Sequence, residues 1–527
     1  MLEKIVFQEF EDVVGKGNID DSEVITETYA YNWCVEVVSV MEGKEPTQYS
    51  PRPKAVIMPS TTEEVSEIVK LCNKHDIQFK AQSTGLGPWN QPSTDNCIIV
   101  DLRRMNRIVK IDEKNMYAVV EPYVSGAQLQ VELMKQGLNC HMPGAGPQVS
   151  PLASATSMNG PGFTSPSTGY SSRNVLGVEW VLPDGQIIKL GSLGLKNSPD
   201  WYSGDGPGFS LRGIMRGFAG AKSGNGIFTR VAVKVFPYPC ETRWEIKGSS
   251  PDYEFEVPDF LNMYLLEGET YQKAEEIELS IEEEGISFLC SLLSGFGATA
   301  IFSNSIESLL SKALLAAIKV PIFVIINGRT RREFEFKKKL MQHIMDNHGV
   351  INILEEKFKA PSITYAEALR SNLGLHGFIA TGVFQSAHGA VETLNMCLNS
   401  VKKNIPLKKK WIKKGQIAND FGEAVWSSSY EHGHMFHAEM ITLYDQTSDY
   451  SVRGMAEYCD AANQMDLVKH LGIPFFIEGN RRHDWYGPHV MNYNKWLRKI
   501  KVMLDPNNIA DSGFYISSTK EGGKSSE

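Results

Sequence analysis

The segment PRPKAVIMPSTTEEVSEIVKLCNKHDIQFKA, residues 51–81, has the pattern that decides the fold. The apolar run in KAVIMPS is typical of a buried strand, and IQFKA from Ile77 alternates like a second strand. Between them, Ser60 is placed to cap a helix, and Glu63 three residues later completes a capping box. The apolar face of that helix is formed by Val65, Ile68, Val69 and Cys72. The segment therefore predicts a strand–helix–strand unit.

Similar patterns continue along the chain. CIIVDL from Cys97 predicts another strand, and Ser125 with Gln128 forms a second capping box. The segment VEWVLPDGQIIKL predicts a β-hairpin around Pro-Asp-Gly. After Cys240 the pattern changes to a mixed α and β region, and NYNKWLRKIKVML predicts a late helix. These features favour an α+β architecture with a large inserted segment over a regular repeat of β–α–β units.

Length, charge and cysteine spacing narrow the class of protein. With 527 residues the chain is too long for one core, and its net charge of −9 argues against a nucleic-acid partner. The N-terminus has no apolar signal region, and Lys319 and Pro321 interrupt the longest apolar stretch, residues 313–326. The eight cysteines have no metal-binding spacing. We therefore expect a cytoplasmic protein with free thiols, no metal and no membrane span.

Three loops rich in glycine, serine and threonine each lie next to a predicted strand. They are QSTGLGPWNQP from Gln82, ASATSMNGPGFTSPSTGYSSRN from Ala153 and GFAGAKSGNGIFT from Gly217. Such loops can turn several backbone N–H groups towards an anion, and glycine lets the chain approach a phosphate closely. The first loop is neither a Walker loop nor a GxGxxG turn, so by itself it is typical of a surface turn. Together the three loops indicate an extended ligand such as a dinucleotide.

The order of these segments resembles the vanillyl-alcohol oxidase and p-cresol methylhydroxylase family. This PCMH-type FAD-binding family also includes glycolate and D-lactate dehydrogenase flavoproteins. The resemblance runs over most of residues 25–240 and 430–515. The motifs that carry it lie in residues 51–112, in NVLGVEWVLPDGQIIKLG (174–191), in GIFTRVAVKVFPYP (226–239) and in WYGPHVMNYNKWLRKIKVMLDPNNIADSG (485–513). It implies FAD as cofactor and an α+β, two-domain PCMH-type FAD-binding fold, with a large inserted α/β cap domain over the isoalloxazine ring.

The resemblance also implies domain limits and cofactor contacts. We expect an FAD-binding domain over residues 1–240, a substrate or cap domain over 241–475, a segment returning to the FAD-binding domain over 476–515, and a disordered tail over 516–527. By position in the family's motifs, the expected FAD contacts are Ser83, Thr84, Gly85, Leu86, Gly87, Ser157, Asn159, Gly169, Gly226 and Ile227.

The chain departs from the family where the p-cresol and vanillyl-alcohol enzymes bind a phenolate with two tyrosines and an arginine. One tyrosine position falls on Trp89 or Asn90, and the later Tyr–Arg pair becomes Phe476 and Ile477. Without a cation or a phenol hydroxyl, a phenolate would lack its charge partner, so the sequence argues against a 4-alkylphenol substrate. His376 lies roughly where some members link FAD covalently, but we predict no covalent link from it.

Histidines in YEHGHMFHAEM, residues 430–440, are candidates for catalysis. If this segment is a strand, His432 and His434 share one face and His437 lies on the other. His437 aligns with a histidine of the p-cresol enzyme, and histidine is a common general base because its pKa lies near neutrality. The alternatives are structural histidines in a cap sheet, or a metal held by HxH as in the D-2-hydroxy-acid dehydrogenases.

A second polar group, Arg481, Arg482 and His483, precedes the WYGP turn. A guanidinium group suits a carboxylate, so Arg482 is a further catalytic candidate if the substrate is an acid. The alternative is a solvated loop. For Tyr486, in the same turn, we expect either packing or hydrogen-bond donation near the flavin.

The tract VKKNIPLKKKWIKKG, residues 401–415, is rich in lysine. Charge runs are usually solvated faces, and the alternative is a docking surface for an acidic electron-transfer protein partner. 

Together these features predict an FAD-dependent dehydrogenase or oxidase. It removes hydride from a small alcohol, 2-hydroxy acid or aromatic side chain to flavin N5, with a cap-domain histidine as base. Two alternatives stay open: a glycolate oxidase-like flavoprotein subunit that passes electrons to a partner protein, and a non-catalytic flavin-binding protein. We expect a small-molecule substrate and a homodimer.

Overall fold

The computed structural model contains three large sheets with helices packed around them. It describes residues 1–31, 34–47, 49–85, 90–144, 146–157, 160–191, 222–249, 252–294, 317–356, 384–423, 425–474 and 479–518.

The first half of the chain, up to residue 237, alternates short helices and strands. The helices are α1 (Lys4–Val14), α2 (Glu23–Thr28), α3 (Val35–Met41), α4 (Thr62–His75), α5 (Gly126–Met134), α6 (Pro151–Ser157) and α7 (Ser165–Thr168). The strands are β1 (Ile19–Asp20), β2 (Val56–Ile57), β3 (Gln78–Gln82), β4 (Cys97–Asp101), β5 (Ile108–Asp112), β6 (Tyr117–Val120), β7 (Leu138–Asn139), β8 (Val175–Val181), β9 (Ile187–Leu190), β10 (Ile227–Lys234) and β11 (Phe236–Pro237).

Two sheets organise this first half. One has the order β1-β2-β4-β3, with β2 and β3 parallel to β4 on either side of it. Helix α4 connects β2 to β3 and buries its predicted apolar face, which confirms the strand–helix–strand unit. The other sheet is antiparallel with the order β5-β6-β10-β8-β9. Its β8–β9 pair confirms the predicted hairpin.

The cap of α4 differs by one residue from the prediction. Thr61 Oγ1, rather than the Ser60 hydroxyl, accepts a hydrogen bond from the backbone N–H of Glu64 at 3.1 Å. The Glu64 carboxylate in turn accepts from the backbone N–H of Ser60 at 2.6 Å. Serine and threonine cap helices by the same chemistry, so the sequence could not show whether Ser60 or Thr61 caps α4. The capping box of Ser125 and Gln128 on α5 is confirmed.

The second half of the chain begins with a two-stranded sheet, β12 (Lys247–Ser249) and β13 (Asp252–Glu254), and is then built on one large sheet. The strands of the large sheet are β14 (Leu261–Glu267), β15 (Ser287–Leu293), β16 (Pro321–Asn327), β17 (Phe384–Glu392), β18 (Val425–Tyr430), β19 (Met435–Leu443) and β20 (Ile473–Pro474). Its helices are α8 (Tyr271–Glu283), α9 (Arg331–His348), α10 (Ile353–Glu356), α11 (Leu394–Lys413) and α12 (Asp449–Lys469).

This cap sheet is antiparallel, with the order β14-β16-β15-β18-β19-β17-β20. One face packs against α8, α9 and α11 through a cluster that includes Ile277, Ile344 and Leu398. The opposite face joins residues such as Trp426 to Tyr238 of the first half. The sheet therefore separates a layer of helices from the first half of the chain.

The C-terminal helices, α13 (Gly479–Tyr486) and α14 (Tyr493–Leu504), lead the chain back to the first half. The backbone N–H of Phe79 in β3 donates to the carbonyl of Ile509 at 3.0 Å, and its carbonyl accepts from Asp511 at 3.0 Å. The buried Lys501 ammonium donates to the carbonyl of Gly224 at 2.6 Å. The domain limits at residues 240, 475 and 515 stay a prediction.

No described helix combines the length and the apolar character needed to cross a bilayer. The eight cysteines are free thiols, and all except the partly exposed Cys240 are buried.

Candidate functional site

The first predicted cofactor loop starts where β3 ends, and the structure describes it through Ser83, Thr84 and Gly85. Thr84 Oγ1 accepts a hydrogen bond from the backbone N–H of Ser150 at 3.2 Å, which ties the loop to the start of α6. Gly85 has a φ of 78°, a conformation that glycine adopts readily. The predicted residues outside the described part of the chain are Leu86, Gly87, Trp89, Asn159, His376, Phe476 and Ile477.

The second predicted loop, from Ala153, is partly helical: its first residues form the end of α6, whose last residue is Ser157, and Ser165–Thr168 form α7. Gly160 has a φ of 54°, and a Cβ there would overlap the hydroxyl oxygens of Ser154 and Ser171. Its carbonyl accepts a hydrogen bond from Nε2 of His141 at 2.6 Å. The path of this loop therefore depends on a glycine and on a buried histidine.

His141 was missed by the sequence analysis, because no local motif marks it. Burial lowers its pKa to about 4, so the ring is neutral at neutral pH. With Nε2 donating to the loop, Nδ1 is left to accept from the Thr168 hydroxyl at 2.9 Å. Both ring nitrogens are thus used to hold the backbone around the second loop.

The third predicted loop leads into β10 through Gly226 and the buried Ile227. Gly226 has a φ of 109°, and a Cβ there would overlap the carbonyl oxygen of Val181 in β8. The preceding Asn225 is fully buried. Its Oδ1 atom has no hydrogen-bond partner within the described part of the chain.

Buried polar atoms without partners converge beside this loop. The Ser223 hydroxyl donates to the carbonyl of Ala81 at 3.4 Å, which places the loop along β3. Near this contact, the unpartnered atoms among the described residues are Oε1 of Gln82, Oδ1 of Asn225 and Nε2 of His483. A buried polar atom without a hydrogen bond lowers the stability of the fold by roughly 1–3 kcal/mol unless a ligand or water forms that bond. The glycine loops and these unpartnered atoms fit a bound polar ligand such as a dinucleotide.

Gly169 lies against the cap. It has a φ of 68°, and a Cβ there would lie 3.3 Å from Oε1 of Glu431. Arg173 forms an ion pair with Glu431 at 3.2 Å, and the backbone N–H of Glu431 donates to the carbonyl of Ser165 at 3.1 Å. These contacts fasten the β18–β19 hairpin of the cap to the first half. A cofactor contact at Gly169 stays a prediction.

The HxH pair lies in the turn of that hairpin. Strand β18 ends at Tyr430 and β19 begins at Met435, so His432 and His434 belong to neither strand. The prediction that they share one face of a strand is wrong, because Glu431 and His432 take φ values of 48° and 54° that turn the chain. Both histidines are exposed. Within the described ranges, no three His, Cys, Asp or Glu side chains are grouped so that they could hold a metal.

His437 lies on β19 and is fully buried. Its neighbours Phe436 and Ala438 pack on the helix side of the sheet, so His437 points to the opposite face. Its ring stacks on Tyr430, with centroids 5.5 Å apart, and meets Trp426 edge-on at 4.4 Å. Burial lowers the pKa of His437 to about 3, so the imidazole is neutral at neutral pH.

Glu439 shares that face of β19 and was missed by the sequence analysis. It lies two residues beyond His437, opposite Trp426 on β18, and only 4% of it is exposed. A signal was present: in the strand MFHAEMITL, polar residues occur at alternate positions within an apolar run. The cap sheet thus brings a neutral imidazole and a carboxyl group to one buried surface.

The His437 face meets the second loop of the first half. Ser428, which pairs with His437 across the strands, has its hydroxyl 3.5 Å from the carbonyl of Gly162. The Trp426 ring lies 5.0 Å from the ring of Phe163. The candidate base and the predicted cofactor loop are therefore on opposite sides of one interface.

The arginines of α13 already have partners. Arg482 is 3% exposed and pairs with Asp460 of α12 at 2.7 Å. Arg481 donates to the carbonyl of Met41 at 2.6 Å. The alternative of a solvated loop is wrong for Arg482, and its charge is balanced within the protein.

His483 and Tyr486 lie deeper. His483 Nδ1 is 2.9 Å from the Tyr493 hydroxyl. Burial, with further contributions from Lys222 and Arg498, lowers the pKa of His483 to about 3. Burial raises the pKa of Tyr486, whose hydroxyl has no partner among the described residues. A ligand could therefore form hydrogen bonds with Nε2 of His483 and with the Tyr486 hydroxyl.

Comparisons with known proteins point to the same cofactor, FAD. Residues 53–191 match the family described as an FAD binding domain. The glycolate oxidase subunit GlcD of Bacillus subtilis is 28% identical over 241 residues, which are 45% of this chain and 46% of that protein. The 4-cresol dehydrogenase [hydroxylating] flavoprotein subunit of Pseudomonas putida is 29% identical over 194 residues, 36% of each chain. The matches to these curated relatives thus span less than half of their length.

Among solved structures, p-cresol methylhydroxylase with substrate bound has a TM-score of 0.74 at 18% identity, covering 99% of this chain and 97% of that chain. The 4-ethylphenol oxidase from Gulosibacter chungangensis, in complex with isoeugenol, has a TM-score of 0.73 at 19% identity and 97% coverage of each chain. These likenesses confirm the predicted α+β fold. The domain match confirms FAD as the cofactor.

Proposed function

We propose that this chain, a flavoprotein with the p-cresol methylhydroxylase fold, is an FAD-dependent oxidoreductase acting on a small, uncharged alcohol or aromatic side chain. The observation that carries this proposal is the buried surface of His437 and Glu439, which faces the second glycine loop. A fold alone does not specify an activity, so the argument rests on the residues of this surface.

The first half supplies the cofactor contacts in this proposal. Ser83, Thr84 and Gly85 hold the pyrophosphate through their backbone, with Ser157 and the Gly226–Ile227 segment as further contacts. The orphaned Oδ1 atom of Asn225 supports this placement, since a polar ligand would satisfy it. When bound, FAD supplies the hydride acceptor at its N5 atom.

His437 takes the proton in this proposal. Oxidation of an alcohol removes one hydride from carbon and one proton from oxygen, so the protein must receive the proton. A neutral imidazole can accept it, and the carboxyl group of Glu439 lies two residues further along the same face of β19. The rings of Trp426 and Tyr430 fix the imidazole and keep water away from it.

The charge of this surface supports an uncharged substrate. Glu439 contributes a carboxyl group, while the arginine candidate Arg482 is already paired with Asp460. A 2-hydroxy acid would bring its own carboxylate to the buried surface that carries Glu439, and two carboxylates at one site repel each other. The glycolate oxidase subunit and the D-lactate dehydrogenases among the relatives act on such acids by name. We therefore propose that this chain differs from them in substrate charge.

Replacing Glu439 with glutamine tests this difference. The ratio of kcat/KM for 2-hydroxy acids to kcat/KM for alcohols should rise about fivefold in the variant, since removing a like charge is worth on the order of 1 kcal/mol. The measurement is kcat/KM for paired alcohols and hydroxy acids of equal carbon skeleton. An equal change for both substrates would show that Glu439 does not select by charge.

Electrons must then leave the flavin. In this proposal a partner protein, a dye or oxygen receives the electrons. The names of two relatives, a glycolate oxidase subunit and a flavoprotein subunit, support a partner protein as the alternative to oxygen. Comparing oxygen consumption with reduction of an artificial dye distinguishes the two.

The deciding experiment is anaerobic bleaching of the bound flavin. Purified protein should be yellow, and an uncharged alcohol or aromatic substrate should bleach its absorbance while matched 2-hydroxy acids bleach it far more slowly. Bleaching by hydroxy acids alone would overturn the proposed substrate class. If no member of a broad panel bleached the flavin, a non-catalytic flavin-binding protein would be the better description.

A further inference from the structure

Helix α11 carries lysines on one side only. The exposed members, which we call the lysine face, are Lys402, Lys403, Lys409, Lys410, Lys413 and the adjoining Lys414. At 3.6 residues per turn they fall within an arc of about 140°. Cys397, Val401 and Trp411 lie on the other side of the helix and are buried. The lysine face is therefore a continuous strip along the surface.

The exposed lysines of this strip form no direct ion pair within the described part of the chain. Helix α11 contains no Asp or Glu, and its ion pair there joins the buried Lys408 to Asp420. None of the six exposed ammonium groups pairs with a described carboxylate. Like charges three or four residues apart destabilise a helix. The strip stands out in a chain whose net charge is −9.

Two exposed aromatic rings flank the strip. Phe421 is 65% exposed, and the next residue, Gly422, lies beside the side chain of Lys409. Tyr450 is 56% exposed, and its hydroxyl donates to the carbonyl of Lys414 at 3.0 Å. Water-exposed rings of this size at the edge of a basic strip are available for insertion into an apolar or interfacial phase.

We propose that the lysine face docks this protein on the surface of an anionic membrane. Clusters of lysine are attracted to acidic lipid headgroups without a specific geometry, and aromatic rings favour the headgroup level of a bilayer. The composition argues against a protein or nucleic-acid partner, because such sites are enriched in arginine and protein interfaces are depleted in lysine. The lysine face contains no arginine.

The position of the strip supports the same choice. Helix α11 packs on the face of the cap sheet opposite His437. A sheet and a helix, together roughly 15–20 Å thick, lie between the lysine face and the proposed flavin surface. An electron-transfer protein docked on the strip would be poorly placed to receive electrons, whereas a membrane there leaves the opposite side uncovered.

Vesicle cosedimentation of the flavin-loaded full chain tests the proposal. The probes are vesicles of phosphatidylcholine alone and with about a third phosphatidylserine. The chain should bind the second kind and not the first, and binding should fall at least tenfold when the salt concentration is raised to 1 M, where charges are screened within about 3 Å. K402Q/K409Q/K410Q/K413Q should bind at least tenfold more weakly.

The matched control is K4Q/K16Q/K114Q/K339Q, which removes the same charge from exposed lysines elsewhere. It should bind like the parent, and both variants should keep the parent's circular dichroism and flavin content. Equal loss in both variants, or no binding by the parent, overturns the proposal. Binding to polyglutamate or single-stranded DNA but not to acidic vesicles also overturns it, in favour of a macromolecular polyanion. None of these outcomes bears on the proposed oxidoreductase activity.

Discussion

The two halves of the molecule build their parts of the site by different means. In the first half the predicted loops depend on backbone conformation, with Gly85, Gly160 and Gly226 at positive φ. In the cap, side chains on one face of a strand carry the chemistry, as His437 and Glu439 do. A backbone-built site leaves glycine signals in the sequence, whereas a side-chain-built site becomes visible only once the sheet faces are known.

Replacing His437 with asparagine should produce the largest effect and should affect only the cap's part of the site. We expect kcat to fall about 10²- to 10⁴-fold, the usual contribution of a general base, with FAD content unchanged. Rapid-reaction measurement of flavin bleaching checks this. The control is His434→Asn in the exposed turn, which should keep parental rates. Parental bleaching by the His437 variant would contradict the assigned role.

Replacing Gly226 with alanine should instead affect the first half, by lowering its stability and its retention of FAD. The new Cβ would overlap the Val181 carbonyl in a backbone conformation that alanine resists, so we expect a loss of about 3 kcal/mol or more and weaker FAD retention. Denaturant unfolding and flavin absorbance check this. Gly137→Ala is the matched control, since Gly137 has a φ of 69° but no neighbour within 4 Å. Equal losses in both variants would remove the close contact as the cause.

Lowering the pH should reduce the stability of both halves, because each half contains a buried neutral histidine. Burial lowers the pKa of His141 to about 4 and of His437 to about 3, below the ordinary value of about 6.5. The unfolded chain therefore binds more protons between about pH 6.5 and pH 4. Stability should be full above pH 6.5 and fall below it by up to about 1.4 kcal/mol per pH unit for each histidine.

Thermal unfolding from pH 7.5 to 4.5 checks this slope. His141→Asn should flatten it, whereas replacing the exposed His434 should not. A slope unchanged by His141→Asn would show that other groups, such as the carboxylates, account for the acid sensitivity.

Breaking the ion pair that fastens the cap hairpin should have the smallest effect. Arg173 and Glu431 are both substantially exposed, so Arg173→Gln should cost less than about 1 kcal/mol. The hairpin keeps its backbone contacts with Ser165 and Pro166. Calorimetry should show nearly parental unfolding. A large loss would mean that the two halves depend on this contact for their packing.

Much of the first half was predictable because its signals are local. The strand–helix–strand unit, the Ser125–Gln128 cap and the hairpin at Pro-Asp-Gly each lie within a short window of sequence. The error at Ser60 and Thr61 arose where neighbouring residues offer the same capping chemistry. The HxH error arose because a strand was assumed to continue through residues that form a turn.

By itself, the sequence determined the cofactor class and the order of the FAD-binding segments, and it identified His437 as a candidate base. Only the tertiary structure showed Glu439 beside His437, His141 beneath Gly160 and Asp460 against Arg482. The last two pairings join residues 19 to 22 positions apart through the fold. Such contacts follow from how strands and helices pack, and packing depends on the whole chain rather than on any short segment.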